Sequence, residues 1–373
     1  MEERKEEIMK KRKRVLGLFL SSVLVMNALT GCTSAVQKKK EGVFTILTSF
    51  YPMYVITENI TDGVDGVEIR NLANPSTGCL HDYQLRPMDM ANMEQTDVMV
   101  INGAGMEEFL DDAKKGITNL HIIDATEGLS LLESDGHHSH EHSHEEDEHN
   151  HEEDEDSHEE DEHNHEEDEH SHEEDEHNHE EDEHNHDEHE HSHGEYNAHA
   201  WISTELYKQQ VQVVADGLAK ADPSHATQYE NNAKQYIKKI EALQTLMEEM
   251  KSVTEGKKIV IFHEAFAYLA QELGMEVVES MEVESDAGLS AGQIKDLIDE
   301  VKDSGADLLL SEKQYSGNIG HTVEEETGIL DLTLDSCVTG DMDKDSYLKA
   351  MEENLRVLKE ALSDGSQLRI SLH

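Results

Sequence analysis

One stretch of this 373-residue chain has nothing to bury, and it dictates how the rest can fold. Residues 137–194 contain no aliphatic side chain and no Phe, Tyr or Trp. Such a segment cannot offset the entropy of ordering its backbone and is expected to stay disordered without metal. It is also periodic. His144, His151, His158, His165, His172 and His179 each open a His-Glu-Glu-Asp-Glu unit, seven residues apart, and His186 opens a degenerate copy. The heptad is not a coiled coil, because none of its positions is apolar. Residues 135–194 hold 30 of the 84 acidic residues, 19 of the 26 histidines and no Lys or Arg. Imidazoles interleaved with carboxylates suit weak, multi-site collection of cations; the bland alternative is a solvated polyelectrolyte insert. The chain outside the tract carries a net charge of −24, ordinary for an acidic soluble protein. Nucleic acid is excluded as a partner, since a phosphate backbone requires a basic face.

Folding is left to the flanks, and both show the same rhythm. Before the tract, strands are expected at 43–49, 67–72, 98–103 and 120–124, with helices at 51–60 and 107–115. After it, strands are expected at 258–263, 275–280, 307–312 and 327–335, with helices at 265–273, 290–305 and 346–362. Alternating βα units predict a parallel sheet covered by helices on each side. Between them lies helical text without sheet signal. One helix covers 204–222 and is broken by Pro223; Ser224 is the expected cap of the next, 225–253. At 1.5 Å per residue the second helix would span roughly 40 Å, a rigid connector. The expected fold class is therefore α/β, with two lobes joined by a long rigid helix. The expected domains are 43–222 (including the loop 135–194), a connector 223–256 and a second lobe 257–373.

The N-terminus reads as a targeting signal. Lys10-Lys11-Arg12-Lys13-Arg14 is a basic segment, and 15–29 is a mostly apolar run too short to cross a membrane comfortably. It ends in Leu29-Thr30-Gly31-Cys32, which resembles a bacterial lipobox. Residues 1–31 are then a lipoprotein signal, Cys32 carries lipid, and 32–42 is a tether holding the protein outside the cytoplasmic membrane.

Three histidines outside the tract stand in short apolar or aromatic contexts: His81 in CLHDYQLRP, His199 in NAHAWIS and His263 in IFHEAFAYLA. They are too far apart in sequence for a local metal finger. His263 closes a strand, and His81 lies between a strand and a helix, where open α/β sheets bind ligands. Three neutral imidazoles leave one position of a zinc tetrahedron open. Taken singly, each has a bland reading, a surface-loop or packed histidine. Three histidines with Glu264 beside one of them also admit a zinc-dependent hydrolase, although the chain has no HExxH motif.

NPSTGCLHDYQLRPMDM, NAHAWIS, IFHEAFAYLA and TGILDLTLD, in this order around an acidic His-rich loop, resemble the zinc-binding lipoproteins that feed ABC importers. These are the cluster A-I substrate-binding proteins of the ZnuA-like and AdcA-like kind. The resemblance covers 43–362. It implies a metal held between the lobes by His81, His199 and His263, with Asp335 or water as the fourth ligand. It implies Zn2+ as the bound ion, an ABC permease with a cytoplasmic ATPase as partner, a monomer, and no enzymatic activity. Lipoproteins of this kind are also viewed as adhesins, so a surface adhesin or extracellular zinc buffer is the alternative. Manganese importers usually carry Glu where His263 stands, and an all-imidazole set suits zinc better. Two features depart from the pattern. Leu80 stands where zinc members often have Glu or Pro, and Cys79 and Cys337 flank two expected ligands. For that pair a disulfide clamp, an extra thiolate ligand and two unrelated cysteines all remain open. Asp82 is read as capping a helix or orienting a neighbour, and Glu264 as a supporting or solvated residue.

Overall fold

The structure, a computed structural model, describes residues 40–368 apart from 82, 112, 114–116, 118–119, 135–194, 282–289 and 315–318. Cys32, the signal segment, Asp82 and the seven repeat histidines lie outside the described residues.

Two four-stranded sheets form, and every pairing in them is parallel. The first comprises β1 (Phe44–Thr48), β2 (Val67–Asn71), β3 (Val98–Ile101) and β4 (His121–Asp124), in the order β2-β1-β3-β4. The second comprises β5 (Lys258–Ile261), β6 (Glu276–Ser280), β7 (Leu308–Glu312) and β8 (Leu330–Leu334), in the order β6-β5-β7-β8. The central strands VMVI and LLLSE are buried along their whole length. Strands covered on both faces read as unbroken apolar runs, which is why they were legible in the sequence. In each sheet the chain reverses its direction of travel between the two middle strands, β1/β3 and β5/β7. Open α/β sheets bind ligands outside the carboxyl ends of their strands at such a point.

The helices are α1 (Tyr51–Thr61), α2 (Pro87–Met93), α3 (Thr204–Ala221), α4 (Ala226–Thr254), α5 (Ala267–Leu273), α6 (Ala291–Ser304), α7 (Ile319–Thr327) and α8 (Ser346–Leu368). Within the expected helix over 107–115, residues 107–109 form turns and 110, 111 and 113 are helical. Helix α7 was not expected from the sequence at all. The expected Ser224 cap is also absent: the residue preceding α4 is His225, without a side-chain cap, and the Ser224 hydroxyl donates to Asp222 instead.

Helix α4 buries Tyr229, Ala233, Tyr236, Ile240, Leu243, Met247, Met250 and Thr254, an alternation of three- and four-residue steps that makes one continuous stripe. That stripe packs on α1 and α3 before it in sequence and on α5 and α8 after it. One hydrophobic cluster consequently runs from Ile46 to Leu358 through both halves. Polar contacts reinforce it. Glu272 of α5 accepts from Ser203, Thr204 and Glu205 at the start of α3. Tyr207 stacks on Tyr347 at 3.7 Å between centroids. A large apolar contact of this kind opposes independent swinging of the halves. Among the described residues no helix is long and apolar enough to cross a membrane.

Candidate metal centre

His263 follows β5 and Glu312 is the last residue of β7, so both sit at the point where the second sheet changes direction. His81 lies between β2 and α2. His199 precedes a single 3-10 turn, Ala200–Ile202, that leads into α3. The structure brings the three rings together. Their centroids are 4.5 Å apart for His199–His263, 5.3 Å for His81–His199 and 6.4 Å for His81–His263. His199 and His263 are buried, whereas His81 is exposed at the rim.

The His199 segment is pinned from both halves. Asn102 donates to the Ala198 carbonyl at 2.8 Å, Tyr268 to the Asn197 carbonyl at 2.7 Å, and the Trp201 indole to the Ser336 carbonyl at 2.9 Å. The tautomer of His199 follows from its neighbour. The Asn197 amide nitrogen donates to the Glu264 carbonyl at 2.9 Å, which turns Asn197 Oδ1 toward His199. That oxygen accepts from the His199 backbone N–H at 2.9 Å and lies 3.0 Å from ring Nδ1. An oxygen acceptor at Nδ1 requires the proton there and leaves the Nε2 lone pair directed away from Asn197. Burial, followed by the proximity of His263 and His81, holds the His199 pKa well below the ordinary value, so the ring is neutral. A neutral imidazole with its proton fixed on Nδ1 is a metal ligand in its binding form.

His263 has a different companion. Its Nδ1 lies 3.3 Å from Glu312 Oε2, and both residues are buried. Neither oxygen of Glu312 forms a hydrogen bond among the described residues. A buried carboxylate without donors is costly unless a positive charge compensates it. Glu312 is the residue that the sequence reading missed. The available signal was its position, a carboxylate closing the apolar run DLLLSE at the carboxyl end of a strand. Glu264 stands behind His199, its Oε1 3.7 Å from Nδ1, and its other oxygen accepts from Ser134.

Asp335 has polar partners of its own. Its Oδ1 accepts from Gln314 Nε2 at 2.7 Å and from the Cys337 N–H at 2.9 Å, and its Oδ2 lies 3.2 Å from Lys313 Nζ. The Cys337 contact holds that residue in a left-handed conformation, φ 57°, that non-glycine residues rarely adopt. Asp335 follows β8, the strand outside β7, whereas the reversal point beside His263 is bordered by β7 and hence by Glu312. The two cysteines are not bonded to each other. Cys337 is buried, whereas Cys79 Sγ lies 3.5 Å from His199 Nε2. Candidate ligand atoms of Cys79, His199 and His263 all fall within 4.8 Å of one another.

Two all-parallel α/β lobes sharing one core, with side chains able to ligate a metal gathered at a sheet reversal, define a two-lobed solute-binding protein. Comparison with known families makes the class specific. Residues 46–361 match the family described as "Zinc-uptake complex component A periplasmic", and the chain belongs to that family. It is 28% identical over 360 residues to the high-affinity zinc uptake system protein ZnuA of Bacillus subtilis (strain 168), covering 94% of this chain and 98% of that protein. It is 34% identical over 331 residues to the protein of the same description in Brucella abortus (strain 2308), covering 86% and 91%. Its fold matches that of the solute-binding protein FpvC of Pseudomonas aeruginosa in complex with Mn2+, with TM-score 0.64 and 22% identity over 87% of this chain and 99% of that one.

Proposed function

We propose that this protein captures Zn2+ outside the cytoplasmic membrane and delivers it to an ABC importer. His81, His199 and His263 hold the ion, Cys32 carries the lipid anchor, and the protein acts as a monomer. The observation that carries the reading is a pair of adjacent buried imidazoles, one of them against Glu312, a buried carboxylate with no hydrogen-bond donor among the described residues. A dication bound at His263 supplies the positive charge that Glu312 lacks, and Glu312 in turn raises the basicity of the ligating ring. The all-imidazole set favours zinc over manganese. Asp335 joins the ligands only by giving up its bonds to Gln314 and Lys313. Capture suits the site better than hydrolysis, because Glu264 lies on the Nδ1 side of His199, away from the lone pair that faces the ion. Because the two halves share one core, release at the permease needs only a local shift of the His81 loop or of the ligands.

The test is metal titration of the chain lacking 137–194, against a competing chelator. One tight zinc per molecule is expected, with His199→Ala weakening it more than about 100-fold, beyond what loss of a supporting partner alone costs. Loss of all tight binding on removal of the tract would move the site into the repeats and end this reading.

A further inference from the structure

We propose that Cys79 is a zinc ligand, so that the ion is held by sulfur as well as by imidazole. This rests on the capture reading above and adds to it a donor that the histidine set lacks.

Geometry carries the inference. In a tetrahedral zinc site with Zn–S of about 2.3 Å and Zn–N of about 2.0–2.1 Å, sulfur and nitrogen stand about 3.6 Å apart. The measured separation of Cys79 Sγ from His199 Nε2 is 3.5 Å. The nitrogen concerned is the one whose lone pair the Asn197 contact leaves available. The candidate ligand atom of His263 completes the group within 4.8 Å. The local chain fixes the sulfur there. Gly78 adopts φ 84°, which lets the turn close, and the fully buried Leu80 anchors the next position, its N–H directed at Met106 Sδ at 3.4 Å. Leu80 thus holds Cys79 on one side and His81 on the other at the same pocket. A second, independent observation points to a cation at this place: buried Glu312, without donors among the described residues, against the Nδ1 side of His263.

The chemistry balances simply. The Cys79 S–H bond breaks, its proton passes to solvent, and the Zn–S bond forms; no oxidant or reductant is involved. A thiolate shifts the site toward soft and borderline ions, adding to the imidazole preference for zinc over manganese.

The experiment substitutes Co(II) for zinc in the full mature chain at one equivalent and records the near-ultraviolet spectrum. The acidic repeats contain no cysteine, so ions held there give no sulfur band. An intense thiolate-to-cobalt charge-transfer band is expected, retained in Cys337→Ser and lost in Cys79→Ser. Zinc affinity is expected to fall at least about tenfold in Cys79→Ser and Cys79→Ala, since even loss of a supporting partner costs that much. Should the Cys79 variants fold poorly, a band retained in Cys337→Ser still decides the matter. One tightly bound cobalt without a sulfur band overturns the role of Cys79 and leaves histidine capture standing. A wild-type chain that takes up no tight zinc overturns both.

Discussion

The two halves of the molecule repeat one sheet order, and each buries a carboxylate at the mouth of its third strand, but in opposite surroundings. In the first half Glu107 accepts from the Ser49 hydroxyl at 2.7 Å and from the Asn102 and Gly103 N–H groups at 2.8 and 3.0 Å. Gly103 is required there: its φ is 88°, and a Cβ would meet Asp124 Oδ1 at 2.0 Å. In the second half Glu312 has no such donors among the described residues and faces His263. A shared architecture therefore yields a carboxylate that ties strand ends together in one lobe and a carboxylate set against an imidazole in the other. One lobe builds the frame, and the other supplies the charge.

That contrast can be broken by mutation. Glu107→Ala strands three donors and should cost about 3 kcal/mol of stability. At about 2–4 °C per kcal/mol, the metal-free melting temperature should drop by about 6–12 °C, while zinc affinity of the folded fraction stays within about twofold. Calorimetry and chelator competition read the two separately. Next in size, Glu312→Gln should lower zinc affinity about 10–100-fold, the usual range for a partner of a ligating histidine. Its metal-free melting temperature should hold or rise, because an uncompensated buried charge has been removed. Glu312→Gln with unchanged zinc affinity, or Glu107→Ala with weakened zinc, would erase the distinction between the halves.

The smallest effect is in the pH dependence of the metal-free protein. Burial, opposed by three hydrogen bonds, pushes the Glu107 pKa up to about 7, against about 4.3 in an unfolded chain. Between those values the folded state holds the extra proton, so this group lowers stability as pH rises through the window. His199 has the opposite sign. Its folded pKa is depressed, so below about 6.5 the unfolded chain binds the extra proton and stability falls as pH falls. The two slopes, each at most about 1.4 kcal/mol per pH unit, oppose one another over roughly pH 4.3–6.5. Glu107→Ala should expose the His199 slope, giving a steeper loss of stability on acidification than in the wild type. Parallel unfolding curves from urea titrations across that range would contradict the assignment.

Much of the scaffold was legible because its signals are local. The eight strands are short apolar runs between turn formers, and the α4 stripe declares its period over 29 residues. Helix α7 escaped because nine residues with buried Val323 and Gly320 are too few to show a period; its packing against α6 and β8 places it. Ser224 escaped as a cap because Asp222 competes for its hydroxyl. In the pocket, the three histidines stood out by their apolar contexts, whereas Glu312 resembled a solvated residue at a strand end.

The sequence by itself determined the two α/β halves, the helical connector, the acidic insert and the residue types able to hold a metal, since periodicity and composition are carried by neighbours along the chain. Only the tertiary structure decided which carboxylate borders His263, which nitrogen of His199 is protonated, and that Cys79 rather than Cys337 meets the imidazoles. Those outcomes depend on strand order and on donors tens to hundreds of residues away in sequence, because a buried polar group is defined by what folding places against it.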